Sequence, residues 1–144
     1  MATFTASAAQ ATVQPKAIRV GLVAVRSTYS IGAAPSAGDI IQMVKVPAGA
    51  TPIHVNFACT NNTPSFILEV GDGILSSRYR SVATYSIGVG WVVAQANTAV
   101  PTAPYTYSAD DTIDVFISTV TASNATIGGA FHMNVIFSMD AEAR

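Results

Sequence analysis

Hydrophobic and polar positions alternate in twos along much of the chain, and the alternation breaks wherever Pro, Gly or Asn cluster. Its clearest stretch spans residues 40–72, where three consecutive strands are predicted at 40–46, 53–60 and 66–70. The tetrad Pro47, Ala48, Gly49, Ala50 is expected to close a first hairpin and Asn61, Asn62, Thr63, Pro64 a second, with Gly71, Asp72, Gly73 ending the third strand. Proline fixes φ and brings no donor, while Gly and Asn tolerate positive φ, so such groups stop a ladder and reverse it. In the middle strand Ile53, Val55, Phe57 and Cys59 fall on one face and His54, Asn56, Ala58 and Thr60 on the other. This period of two marks a half-buried antiparallel strand, and the rest of the chain is expected to pack against this meander.

Before the meander, Ile18, Val20, Leu22 and Ala24 form the apolar face of another strand, followed by a Gly- and Pro-punctuated loop at 31–39. After it come a strand at 78–84, a short one at 91–93, a loop at 97–104 and an extended entry at 105–111. A strand at 112–118 points Ile113, Val115 and Ile117 inward, and a last one at 130–138 gathers Phe131, Met133, Val135 and Phe137 on one face. No segment sustains the i, i+3, i+4, i+7 spacing of an amphipathic helix. The prediction is an all-β chain, an antiparallel β-sandwich of about eight strands, jelly-roll-like because long loops separate the strands. Strand order is not readable from the sequence. Residues 1–16 form an extended N-terminal arm, 17–139 the sandwich and 140–144 a short tail. The arm has only Phe4 and Val13 as larger apolar groups. It buries too little to order by itself, so it is either a flexible tail or an arm that orders on a neighbour.

Composition changes the picture. Half the residues are hydrophobic and 10% charged, against about 25% charged in an ordinary soluble domain, and the mean hydropathy is +0.41. No stretch approaches the ~20 consecutive apolar residues of a spanning helix, and the short strands do not suit a transmembrane barrel, so no membrane partner is expected. Residues 81–109 and 115–139 contain no Asp, Glu, Lys or Arg. A monomer in water rarely leaves such long segments without solubilising charge, so the chain is expected to hide surface against other subunits. A net charge of −1 argues against direct nucleic-acid binding, which is built from clustered Lys and Arg. The single cysteine, Cys59, cannot make an internal disulfide, so no oxidising compartment is implied. The N-terminus has no basic segment followed by an apolar block and does not read as a secretory signal.

No catalytic constellation emerges, and no cofactor or metal is expected. Asp110 and Asp111 could offer oxygens to a cation, but Asp before a strand is ordinary turn chemistry, as is Asp72 between two glycines. Asp39 and Asp114 complete the acidic candidates. His54 and His132 lie opposite the large apolar residues of their strands and read as exposed or interface histidines rather than metal ligands. Cys59 reads as a small buried hydrophobe. Candidate partner contacts are Phe4 and Val13 in the arm, Arg78 and Arg80 as two guanidinium groups on one strand face, and the aromatics Trp91, Tyr105 and Tyr107. These aromatics are equally suited to anchoring a protein interface or stacking on a sugar.

Three stretches resemble small structural proteins of tailed bacteriophages: residues 37–50 (AGDIIQMVKVPAGA), Val70, Gly71, Asp72, Gly73 with Arg78 and Tyr79, and Tyr105, Thr106, Tyr107 before ADDTID at 109–114. The pattern is most similar to capsid cement (decoration) proteins of the short-tailed kind and runs from about Ile18 to Phe137. The resemblance implies a jelly-roll-like, non-enzymatic virion protein on the outer surface of the capsid. There it would clamp neighbouring major capsid protein subunits against internal DNA pressure and associate with itself as a dimer or trimer. The alternative is a tail-fibre or receptor-binding module that recognises host carbohydrate.

Overall fold

In a computed structural model that describes residues 1–6, 9, 21–32, 35–60, 66–85, 92–94, 105–120 and 129–139, the period-two segments form nine strands: β1 (Thr3–Thr5), β2 (Gly21–Ser30), β3 (Ile40–Val46), β4 (Ala50–Thr60), β5 (Phe66–Asp72), β6 (Arg80–Tyr85), β7 (Val92–Ala94), β8 (Asp111–Val120) and β9 (Ala130–Met139). Two sheets result, ordered β1-β3-β8-β5-β6 and β2-β9-β4-β7. The pairs β2·β9, β3·β8, β4·β7 and β5·β6 are all antiparallel and nested, first with last, second with second-last. A single two-stranded ribbon wrapped over itself into two four-stranded sheets is a jelly roll. β1 extends one sheet by pairing in parallel with β3.

The core lies between the sheets. Ile41, Met43, Val46, Leu68, Val70, Ile113, Val115 and Ile117 from one sheet meet Val55, Phe57, Cys59, Phe131, Met133, Val135 and Phe137 from the other, all buried. The inward faces expected for β8 and β9 are those observed.

Other expectations need correction. β3, β4 and β5 are not a meander: β4 belongs to the opposite sheet from β3 and β5, so the turn at 47–49 carries the chain across the sandwich instead of closing a hairpin; the group Asn61, Asn62, Thr63, Pro64 lies outside the described residues, and the strands on either side of it do not pair with each other. Local turn chemistry stops a ladder in either case, and only long-range pairing decides where the next strand goes. The phase of β2 is the reverse of the expected one. Val23, Val25, Ser27 and Tyr29 turn inward, while Leu22 is 67% exposed; Ile18 and Val20 lie outside the described residues. Ile53 also leaves its predicted face. A bulge between Pro52 and His54 shifts the register with β9 and turns Ile53 out, 55% exposed, while Val55, Phe57 and Cys59 stay buried. Arg78 and Tyr79 precede β6 instead of beginning it. At the N-terminus, Thr3–Thr5 finds ladder partners on the edge of β3 in its own chain, with Phe4 packed against Tyr29 at 5.8 Å between ring centroids. Val13 falls outside the described residues.

Candidate functional site

The outward face of the four-stranded sheet is built from the registers of β2 and β4 with β9. Successive rows across it are Leu22, Ser138, Thr51; Ala24, Ile136, His54; Arg26, Asn134, Asn56; Thr28, His132, Ala58; and Ser30, Ala130, Thr60. Arg26 is the one formally charged side chain in these five rows. At one end Leu22, Ala24 and the bulged Ile53 are exposed beside Ile136. Depletion of charge with a few exposed aliphatic groups is the composition of an interface core, not of a wetted sheet face. His132 is tied down here, with Nδ1 3.0 Å from Thr28 Oγ1 and Nε2 3.1 Å from Thr60 Oγ1. Both ring nitrogens thus face hydroxyl partners. Among the described residues no group of three or more His, Cys, Asp or Glu side chains is placed to hold a metal ion.

A buried polar cluster occupies one end of the sandwich. Asp72, 1% exposed at the end of β5, accepts from Ile74 N at 3.0 Å and Leu75 N at 2.8 Å, the turn chemistry expected of Gly-Asp-Gly. Its second oxygen accepts from Arg78 Nε and, at 3.0 Å, from the Tyr107 hydroxyl, which lies 2.7 Å from the Tyr79 hydroxyl. The Arg78 guanidinium stacks on the Tyr105 ring, 3.6 Å from its centroid, and Tyr105 meets Tyr107 edge-on at 5.0 Å. Burial opposes the charge of Arg78, but the hydrogen bond and charge of Asp72 outweigh it and raise the guanidinium pKa. Burial first, then the neighbouring hydroxyl and carboxylate, push the Tyr107 phenol well above its ordinary range. The backbone locks the same end: Gly49 N donates to Tyr107 O at 2.7 Å and Tyr107 N to Ala50 O at 3.0 Å. The turn between β3 and β4 needs Gly49, whose φ is +82°.

This arrangement sorts the predicted contact residues. Tyr107 is 2% exposed and holds the fold together, presenting no ring face to a sugar or a partner. Arg78 is committed to Asp72 and Tyr105, so it does not pair with Arg80 as a two-pronged surface grip. Arg80 and Tyr105 are partly exposed. Phe4 is partly buried on its own core. Trp91 lies outside the described residues. Cys59 is buried and its thiol is raised by desolvation to about 12, which leaves it protonated and unreactive.

Two of the acidic candidates have roles that the sequence does not show. Asp39, 6% exposed, accepts from Ala2 N and Ser36 N, each at 2.8 Å, and so pins the chain beside β1 to the loop before β3. Asp114 is more unusual. Alternation places it on the outward face of β8, the middle strand of its sheet, yet it is 3% exposed and its Oδ1 has no hydrogen-bond partner. Its neighbour in register on β5 is Gly71. A Cβ on Gly71 would lie 2.1 Å from Leu75 O, because residues 75–76 fold back over the sheet at that point. Burial, only partly relieved by a hydrogen bond from Thr112, and then the charges of Asp111 and Asp72, raise the Asp114 pKa to about 7.

No protein-family model matches the chain, and no curated protein matches its sequence. Its fold is similar to that of solved structures. A chain in the capsid of Ralstonia phage GP4 superposes with a TM-score of 0.76 at 17% identity, over 96% of this chain and 98% of that one. A chain in the cyanophage Pam1 capsid asymmetric unit gives 0.66 at 16% identity, over 88% and 91%. A chain in the acid-stable capsid of Helicobacter pylori bacteriophage KHP30 gives 0.54 at 12% identity, over 82% and 87%. At these identities the likeness is one of fold.

Proposed function

We propose that this chain is a non-enzymatic decoration protein of a tailed bacteriophage capsid, bound to the outside of the shell and clamping neighbouring major capsid subunits. The observation that carries this reading is the end-to-end fold match to a chain of nearly the same extent in a phage capsid, 96% of one against 98% of the other. A fold alone does not specify a function; the charge-poor sheet face adds the chemistry. In this proposal the face of β2, β9 and β4 meets the shell, with Leu22, Ala24, Ile53 and Ile136 as the apolar anchor at one end. Tyr105, Arg80 on β6 of the other sheet, and residues 2–14 and 140–144 are further contacts outside this face. Burying about 800 Å² of apolar surface has a gross value near 20 kcal/mol at ~25 cal/mol per Å², before the costs of association. Even a small surplus per copy, repeated around a shell, stiffens it.

Mixing the purified chain with shells assembled without it, then pelleting the shells, tests the reading. Saturable co-sedimentation at a fixed ratio to the major capsid protein is expected, and it should weaken when Ile53 is replaced by Asp. A chain that stays in the supernatant, or that forms closed shells by itself under the electron microscope, would overturn the decoration reading. The latter result would make it a coat protein.

A further inference from the structure

A buried carboxylate holds the residue that precedes β1. Ala2 N donates to Asp39 Oδ1 and Ser36 N to Asp39 Oδ2, each at 2.8 Å. The backbone sets both partners: Ile40 N donates to Ala2 O at 2.9 Å, and Ile117 N to Asp39 O at 3.0 Å. From there Thr3–Thr5 runs in parallel register beside residues 40–42. Asp39 is 6% exposed, yet both its donors are neutral backbone amides. Among the described residues no Lys, Arg or His forms an ion pair with it. A carboxylate taken out of water is costly unless a positive charge stands beside it. The nitrogen 2.8 Å away becomes such a charge once the peptide bond before it is cut.

We propose that the Met1–Ala2 bond is a processing site, and that the α-ammonium freed at Ala2 forms a buried ion pair with Asp39. The step is a peptidase-catalysed hydrolysis. Water adds across the amide, Met1 leaves with the new carboxylate, and Ala2 N keeps the electron pair of the broken bond and takes up protons. Alanine is small, as the peptidases that remove methionine from in front of a small residue require. Met1 is 93% exposed, so its loss removes little packing. No part of the chain has to move, because the nitrogen that donates as an amide donates to the same oxygen as an ammonium. A charge-assisted hydrogen bond is roughly twice as strong as a neutral one. The short strand β1 is then fastened to the edge of β3 by a charge pair at its entry as well as by its ladder. Processing thus completes the five-stranded sheet, whether or not the chain is bound to a shell.

The intact mass of the purified chain tests the cut. It is expected to fall short of the 144-residue sequence by one methionine residue. A double-mutant comparison tests the ion pair. Ala2→Leu puts a bulky residue after Met1 and blocks the cut, at a position that is exposed in the fold. Asp39→Asn keeps the shape of the side chain and removes its charge. In urea unfolding, Asp39→Asn should lower the folded-to-unfolded ratio about 10-fold more in the trimmed chain than in the Ala2→Leu chain that keeps Met1. A purified chain that retains Met1, or an Asp39→Asn cost equal in the two backgrounds, would overturn the inference. Neither outcome bears on whether the chain co-sediments with shells.

Discussion

Replacing Asp72 with alanine is expected to cost about 3–5 kcal/mol, the cost of removing one partner of a buried ion pair. The substitution strands more than the guanidinium. Arg78, only 13% exposed in its side chain, loses its carboxylate. The Tyr107 hydroxyl loses its acceptor, and the amides of Ile74 and Leu75 lose the turn that orients them. At about 3 °C per kcal/mol for a chain of this size, the melting temperature should fall by roughly 10–15 °C. Tyr107→Phe deletes a single hydroxyl from the same cluster and should cost about 1 kcal/mol. Thermal and urea unfolding of the two variants measure the ranking. An Asp72→Ala variant as stable as Tyr107→Phe would mean that the cluster does not hold this end of the sandwich.

Asp114→Asn should stabilise the protein above neutral pH and change little in acid. The Asp114 pKa is raised from 3.8 to about 7 in the folded chain, so between about pH 4 and 7 the folded state holds a proton that the unfolded chain has released. Stability from this group is fully present below pH 4 and is lost as pH rises through 7. The difference is on the order of 4 kcal/mol, of which Asn recovers the part not spent on its own buried amide. Melting curves at pH 8 should place the variant higher by up to roughly 10 °C, with the two curves converging near pH 4. Equal melting temperatures at pH 8 would mean that water reaches Asp114 and solvates its charge. Its geometry supplies the cause: a carboxylate on the middle strand, with Oδ1 unpartnered, beside a glycine over which the chain folds back.

The sequence foretold the elements with strict alternation and missed the choices made at a distance. β9 alternates without interruption, and its inward set of Phe131, Met133, Val135 and Phe137 was legible because the intervening positions are smaller or polar, apart from Ile136. β2 was misphased because both its faces are apolar at one end. Leu22 and Ala24 compete with Val23 and Val25, and the register with β9 decides between them. Ile53 departs from its expected face by one extra residue, a bulge at Pro52, a residue that a strand paired on both sides accommodates only at such an irregularity. The turn-forming residues at 47–50 and 61–64 read the same in the sequence whether a strand returns to its own sheet or crosses to the other, so the jelly-roll order is invisible there. In the polar cluster, Asp72 was recognised as a turn residue, but its pairing with Arg78 six positions later depends on the chain folding back. Tyr107 reads as a candidate contact aromatic in the sequence because the extended entry at 105–111 lacks apolar alternation; the backbone bonds to Gly49 and Ala50 draw it inside.

The claim that this chain strengthens a shell is tested most directly by heating DNA-filled shells with and without it and following DNA release with an intercalating dye. Shells carrying a full complement of the protein are expected to release DNA several degrees above bare shells, with the shift growing in proportion to occupancy. Full occupancy with an unchanged release temperature would contradict the account.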